Sequence, residues 1–306
     1  LLLLDVLRDR TDSVRPPVRE RRNVAVGGGA STLGRAAGGA GGATPAGQRS
    51  RLLLPAPVAV SLVPARPEQL QMGAGQPVDG SVETIANANK NIPIRLFNVE
   101  RCISKTLQED CNGVWNVNSP ENVANFSATA YFFGKQLYRT LNVPVGLVSS
   151  SWGGTNINCW MSSDALKKFP EISQEYLVSE DVSQKPHPAT LFNGMVYPIK
   201  YFKFKGVIWY QGEANRSNPE EYKLLFQSFV KDWRNMFNND TMPVYYVQIA
   251  PYMYFKNKSN IQAALLREVQ MECESIINNV GMVVIMDSGD SSTIHPSKKD
   301  IVGKRL

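Results

Sequence analysis

From about residue 93 onward, short apolar runs alternate with longer segments of helical period, and that alternation constrains the fold more than any other feature. Ile94-Arg-Leu-Phe97 reads as a strand, and Val143–Val148, Gly206–Tyr210, Val244–Ile249 and Met282–Met286 read likewise. Between them, Ser127 is expected to cap a helix through Leu141, with Ala130, Phe133, Leu137 and Leu141 along one stripe. Pro219 suits the first position of a second helix, which places Tyr222, Leu225, Phe226, Phe229, Val230, Trp233 and Phe237 on one face. Ile261–Ile277 reads as a third. Strands separated by helices imply βαβ crossovers, hence an α/β fold whose mostly parallel sheet lies between two helical layers as a three-layer sandwich.

In such a sheet, chemistry gathers beyond the carboxyl ends of the strands. Three polar segments fall there: Ser151–Thr155, Gln211–Glu213 and Asp287–His295. Their coincidence points to an enzyme. The chain has only two histidines, so a histidine-dependent reaction must use His187 or His295. His187 lies between Pro186 and Pro188 with no neighbour to hold its tautomer, and a structural role is expected. His295 follows a strand and has Asp287 and Asp290 upstream as candidate orienting acids, with Asp290 the nearer.

Trp152-Gly153-Gly154-Thr155 offers backbone N–H groups of the kind an oxyanion site needs, although a tight turn explains paired glycines equally well. Gln211 could donate to an oxyanion, and Glu213 could bind substrate hydroxyls or orient a neighbour. A solvated polar loop is the plainer alternative.

Charge is unevenly spread. Residues 1–66 hold ten arginines, no lysine and four acids, while the remainder carries 23 basic and 23 acidic side chains. The net charge of +6 therefore belongs to the leading segment and does not mark a nucleic-acid-binding body. Gly27–Gly47 is a Gly/Ala run too poor in apolar surface to offset backbone entropy, and is expected to be disordered. Leu52–Val63 is apolar but broken by Pro55 and Pro57, a poor strand. No apolar run is long enough for a membrane span. Cys102, Cys111, Cys159 and Cys273 show no metal spacing, so free thiols are expected, with a Cys102–Cys111 bridge as the alternative. Asn125, Asn239 and Asn257 head sequons compatible with secretion.

Several segments, in order, resemble the sialate O-acetylesterase family of SGNH/GDSL-type hydrolases. They are Asn122–Ser127, Val145–Thr155, Leu191–Met195, Gly206–Asn215 and Ile294–Leu306, and the resemblance runs from about residue 70 to the end. It implies removal of O-acetyl groups from sialic acids or related sugars by a serine nucleophile and a histidine base, with no cofactor and no metal. It further implies His295 as base, Gly154 and Gln211 as oxyanion donors, and Trp152 and Glu213 at the substrate. The family setting is secreted, periplasmic or lysosomal. An acetylxylan-type esterase and a non-catalytic sugar-binding relative are the alternatives.

One departure stands out. The family's nucleophile lies in Gly-Gln-Ser-Asn-Met-Gln-Met after the first strand, whereas this chain reads Arg66-Pro-Glu68-Gln69-Leu70-Gln-Met72. The codons CGG CCA GAG CAA CTG are allowed for Arg66–Leu70, and shifted by one base they would read GGC CAG AGC AAC, which is Gly-Gln-Ser-Asn. A single missing base would thus put residues 1–69 out of frame. The expected organisation is a non-globular segment 1–69, then an esterase domain over 70–306 that lacks its first strand and nucleophile and stops inside its last helix.

Overall fold

The computed structural model describes residues 57–62, 71–73, 77–181, 184–254 and 261–306. All lie within one compact unit, Leu54–Leu306. The Gly27–Gly47 run and the frame-sensitive residues Arg66–Leu70 fall outside the described residues.

Seven strands among the described residues form one sheet: β1 (Pro57–Leu62), β2 (Ile94–Asn98), β3 (Trp115–Val117), β4 (Val145–Ser149), β5 (Val207–Trp209), β6 (Val244–Val247) and β7 (Val280–Val283). Their spatial order is β3-β2-β4-β1-β5-β6-β7. Only β3 is antiparallel, paired to β2 at the edge. The α/β class with a mostly parallel sheet is as expected.

The missing first strand is a correction. Pro57–Leu62 occupies the centre of the sheet, pairing in parallel with β4 (Val60 opposite Val148) and with β5 (Val60 opposite Val207). The prolines that argued against this strand do not prevent it. Pro57 opens β1, where a missing N–H is tolerated, and the register with β4 shifts between Pro57 and Ala59. The last strand is also displaced. Val280–Val283 pairs with Val244–Val247, and because β6 ends there, Val284 and Met286 have no strand to pair with and stand exposed.

Helices α1 (Ser81–Ala86), α2 (Pro120–Ala124), α3 (Ala128–Leu141), α4 (Ser163–Leu166), α5 (Pro219–Met236), α6 (Ile261–Ile276) and α7 (Lys299–Arg305) connect the strands. Ser127 Oγ accepts from Ala130 N at 3.3 Å, capping α3 as its position predicts. Asn218 does the same for α5, accepting from Glu221 N at 3.3 Å, with Pro219 next in line.

Alternate residues of the strands feed two apolar clusters. Ile94, Leu96, Val145 and Leu147 pack with α3 through Ala130, Tyr131 and Phe133. Phe97, Val148, Val207, Trp209, Val244 and Tyr246 pack with α5 and α6 through Phe226, Phe229, Trp233 and Leu266. Tyr222, Leu225, Phe226, Phe229, Val230 and Trp233 of the expected stripe are buried, while Phe237 sits at the helix end, half-buried. All four cysteines are free thiols, so the Cys102–Cys111 bridge is not formed. Burial pushes the Cys111 thiol up to about 11 and those of Cys159 and Cys273 to about 12, out of the reactive range.

Candidate active site

The strand ends carry the polar segments. After β4 the chain makes the Ser149–Thr155 turn, closed by Thr155 Oγ1 donating to Trp152 O at 2.8 Å. Trp160 Nε1 in turn donates to Thr155 Oγ1 at 2.9 Å. Gly154 lies in the left-handed region (φ 72°), where glycine is at ease, and the space beside its Cα is open.

Beyond β5, Gln211 is only 2 % exposed. Its Nε2 donates to Thr155 O at 3.1 Å and to Asn215 Oδ1 at 2.7 Å, so both amide protons are used. Asn215 Oδ1 also accepts from Ile157 N at 3.0 Å, which ties the two loops twice. The backbone carbonyl of Gln211 accepts from Tyr222 Oη and from Gln270 Nε2, each at 3.2 Å. Gly212 permits this packing, since an added Cβ would lie 2.6 Å from Ile249 Cγ2. Gln211 Oε1 is buried without a partner. Two of the three expected segments are thus one hydrogen-bonded unit.

The third joins through its flanks. Met253 N donates to Ser291 O at 3.1 Å, linking the loop after β6 to the segment that carries His295. Four residues past His295, Lys299 is buried at 2 % exposure, with Nζ 5.2 Å from the Tyr210 ring centroid at the end of β5. Burial raises the carboxyl of Glu213, and the Lys299 charge is foremost among the side-chain charges opposing that rise. Lys299 is itself lowered to about 8 by burial, against the pull of Glu213.

The two candidate orienting acids differ. Both oxygens of Asp287 bind Arg305 at 2.6 Å, holding α7 and leaving this acid a structural task. Asp290 Oδ1 accepts from Ser292 N at 2.6 Å, from Ser292 Oγ and from Thr293 N at 3.2 Å, closing the turn ahead of His295. Those bonds hold its carboxyl below the usual range. His295 N donates to Thr293 Oγ1 at 3.1 Å at the end of that turn. His187 stacks on Tyr176 with centroids 3.9 Å apart, and its backbone N donates to Thr190 Oγ1 at 3.0 Å, in keeping with a structural role.

A cavity of about 220 Å³ opens at the carboxyl ends of β2 and β4. Asn98, Val99 and Arg101 line one side, Ser149 and Ser151 another, and Gln71, Asn125 and Ser127 the third. Two hollows are larger: one of about 500 Å³ lies among α1, α3 and α7 and contains no strand-end residue, and one of about 440 Å³ lies beside Met282–Asp287 and Arg305 at the edge strand β7. Of the three, the 220 Å³ cavity is the one lined by residues of the Ser149–Thr155 turn. Arg101, Asn98 and Ser127 were not foreseen from the sequence. Nothing in local pattern marks an arginine in a long loop; Val99 N bonding Ser149 O at 2.8 Å and the Arg101 guanidinium 5.0 Å from the Trp152 ring centroid bring that loop to the site. Lys299 was missed because Lys298-Lys299 reads as a solvated pair.

A mostly parallel sheet with polar loops hydrogen-bonded at its carboxyl edge is the arrangement in which α/β proteins place their sites. Residues 104–302 match the family described as carbohydrate esterase, sialic acid-specific acetylesterase, and the chain belongs to that family. Human sialate O-acetylesterase is 30% identical over 237 residues, covering 70% of this chain and 45% of that protein. The mouse protein of the same name is 31% identical over 284 residues, covering 74% and 52%. The chain thus spans about half the length of the curated relatives it matches. Among solved structures, a carbohydrate acetylesterase from Xanthomonas citri aligns with a TM-score of 0.70 at 30% identity, covering 81% of this chain and 55% of that one.

Proposed function

We propose that this domain is built to hydrolyse O-acetyl esters on sialic acids or related acetylated sugars, in an SGNH-type three-layer arrangement. The observation that carries the reading is the direct bonding of Gln211 to Thr155, which makes one rigid rim from two loops whose sequences match an esterase family. On this reading a serine hydroxyl attacks the acetyl carbonyl, and the ester carbon becomes tetrahedral. His295 takes the hydroxyl proton and returns it to the departing sugar oxygen, and water then releases acetate. Asp290 stiffens the His295 turn. Gly154 N–H is the first oxyanion donor. Gln211 holds that turn in the free protein and becomes the second donor by exchanging its Thr155 bond for the oxyanion. Trp152 and Glu213 bound the substrate space.

The recorded chain has no serine within Arg66–Leu70, and loss of a nucleophile leaves little turnover. As written, it is expected to be inactive or nearly so. The test restores the motif with Arg66→Gly, Pro67→Gln, Glu68→Ser, Gln69→Asn and Leu70→Met, then measures acetate release from acetylated sialic acid and from acetylated xylan. The restored chain should exceed the recorded one by several orders of magnitude, on the order of 10⁶ at most, with the sialic acid preferred. Preference for xylan would transfer the assignment to a polysaccharide esterase. Saturable sugar binding without turnover after restoration would make it a non-catalytic relative. An mRNA read through Arg66–Leu70 without a shifted base would sink the frame explanation.

A further inference from the structure

Asn215, four residues past Gln211, is only 7 % exposed, and its side-chain oxygen serves donors from two different loops. Asn215 Oδ1 accepts from Ile157 N at 3.0 Å and from Gln211 Nε2 at 2.7 Å. A carboxamide oxygen has two lone pairs, so both are used. Ile157 N is a backbone donor and cannot accept, which fixes the end of the Asn215 amide that faces it. That oxygen in turn admits only the Nε2 end of Gln211. Thr155 O, a backbone acceptor 3.1 Å from Gln211 Nε2, imposes the same polarity from the other side.

Asn215 is itself firmly held. Its N donates to Gly212 O at 2.8 Å, and its O accepts from Asn218 N at 3.1 Å, in the turn that leads to α5. Across the rim, Ile157 opens the short 3₁₀ turn Ile157–Trp160, where Trp160 is fully buried and bonded to Thr155. The Asn215 oxygen is therefore a fixed point between the two loops. Gln211 Oε1, by contrast, is buried with no partner and does nothing to hold its own amide.

This arrangement matters most during the reaction. On the sugar-esterase reading above, on which the inference rests, Gln211 gives up Thr155 O as it turns a proton to the oxyanion. Among the described residues, the bond to Asn215 is then what still anchors the amide. We propose that Asn215 is a positioning residue that keeps the Gln211 N–H directed at the oxyanion. Without it, the freed Ile157 N–H competes for Gln211 Oε1. A buried donor and a buried acceptor that both lack partners favour turning the amide away from its catalytic orientation.

The full chain with its serine motif restored would be assayed beside its Asn215→Leu, Gln211→Ala and doubly substituted forms. Asn215→Leu should lower kcat on the order of 10²- to 10³-fold, the loss expected for one missing oxyanion donor, with KM within about threefold. Gln211→Ala should lose as much, and the double variant no more than either, because one residue acts through the other. Losses that multiply in the double variant, or full turnover by Asn215→Leu, would overturn the role of Asn215 and leave the esterase reading standing. A restored chain with no turnover at all would overturn that reading and this proposal with it. A second measurement needs no turnover. In the isotope-labelled recorded chain, both Gln211 side-chain amide protons should be protected from solvent exchange by NMR. They should stay protected in Asn215→Asp, which keeps the acceptor, and lose protection in Asn215→Leu. Equal protection in Asn215→Leu, or its loss in Asn215→Asp, would overturn the proposal. Should Asn215→Leu fail to fold, Asn215→Asp decides alone.

Discussion

Single residues at the rim do different kinds of work. Gly154 has open space beside it, so a methyl group meets no neighbour and the penalty of Gly154→Ala is conformational alone. Forcing an L-residue into the left-handed region costs about 1–2 kcal/mol. Thermal unfolding should report a loss of that size, and acetate release by the motif-restored chain should fall further as the N–H tilts away. Lys299 predicts a pH effect. Burial lowers its ammonium from 10.5 to about 8, with Tyr210 and Glu213 facing it and Arg216 and Tyr254 beyond Glu213. Between those values the unfolded chain binds a proton that the folded chain does not, so the lysine's contribution makes stability rise with pH across that window. The rise amounts to roughly 3 kcal/mol at most. Denaturant titrations at about pH 8 and pH 10.5 should show it in the recorded chain and not in Lys299→Met. An equal rise in both proteins would assign it to other groups.

Elements hold these residues in place through close contacts. Gly303 brings α7 against α3: a Cβ there would stand 2.6 Å from Phe132 Cβ and 2.7 Å from Phe133 N. Because the opposing atoms include backbone, Gly303→Ala must push the helices apart, and overpacking of this kind costs about 1–3 kcal/mol. The shift also moves Lys299 and the His295 loop at the head of α7, so turnover of the restored chain should drop more than stability explains. A variant with lowered melting temperature and full activity would contradict that link. On the opposite face, Trp233 is fully buried and donates from Nε1 to Trp160 O at 2.9 Å. Its replacement by alanine should cost about 3–5 kcal/mol by chemical denaturation. The helices α3, α5 and α6 were legible because a long amphipathic stripe with a capping residue leaves little ambiguity, as Ser127 and Pro219 show. The strands were less so. β1 was discounted for its prolines, yet its neighbours on both sides supply ladder partners that local sequence does not reveal. β7 was placed too late because its end is set by the length of β6.

At the scale of the molecule, the alternation of runs and helical segments was enough for the fold class. Family-like segments located the carboxyl edge, where Gln211 and Thr155 do meet. What stayed hidden were groups delivered by packing alone: Arg101 on a loop tied to Ser149 through Val99 N, and Lys299 buried beside an apparently ordinary charged neighbour. The account depends on these loops surrounding one reactive hydroxyl in the restored chain. Covalent labelling tests that most directly. A fluorophosphonate probe, followed by peptide mass spectrometry, should mark position 68 alone in the motif-restored protein, and the mark should vanish when His295→Gln is added. Labelling that is absent from position 68, or that persists undiminished without the imidazole, would contradict it.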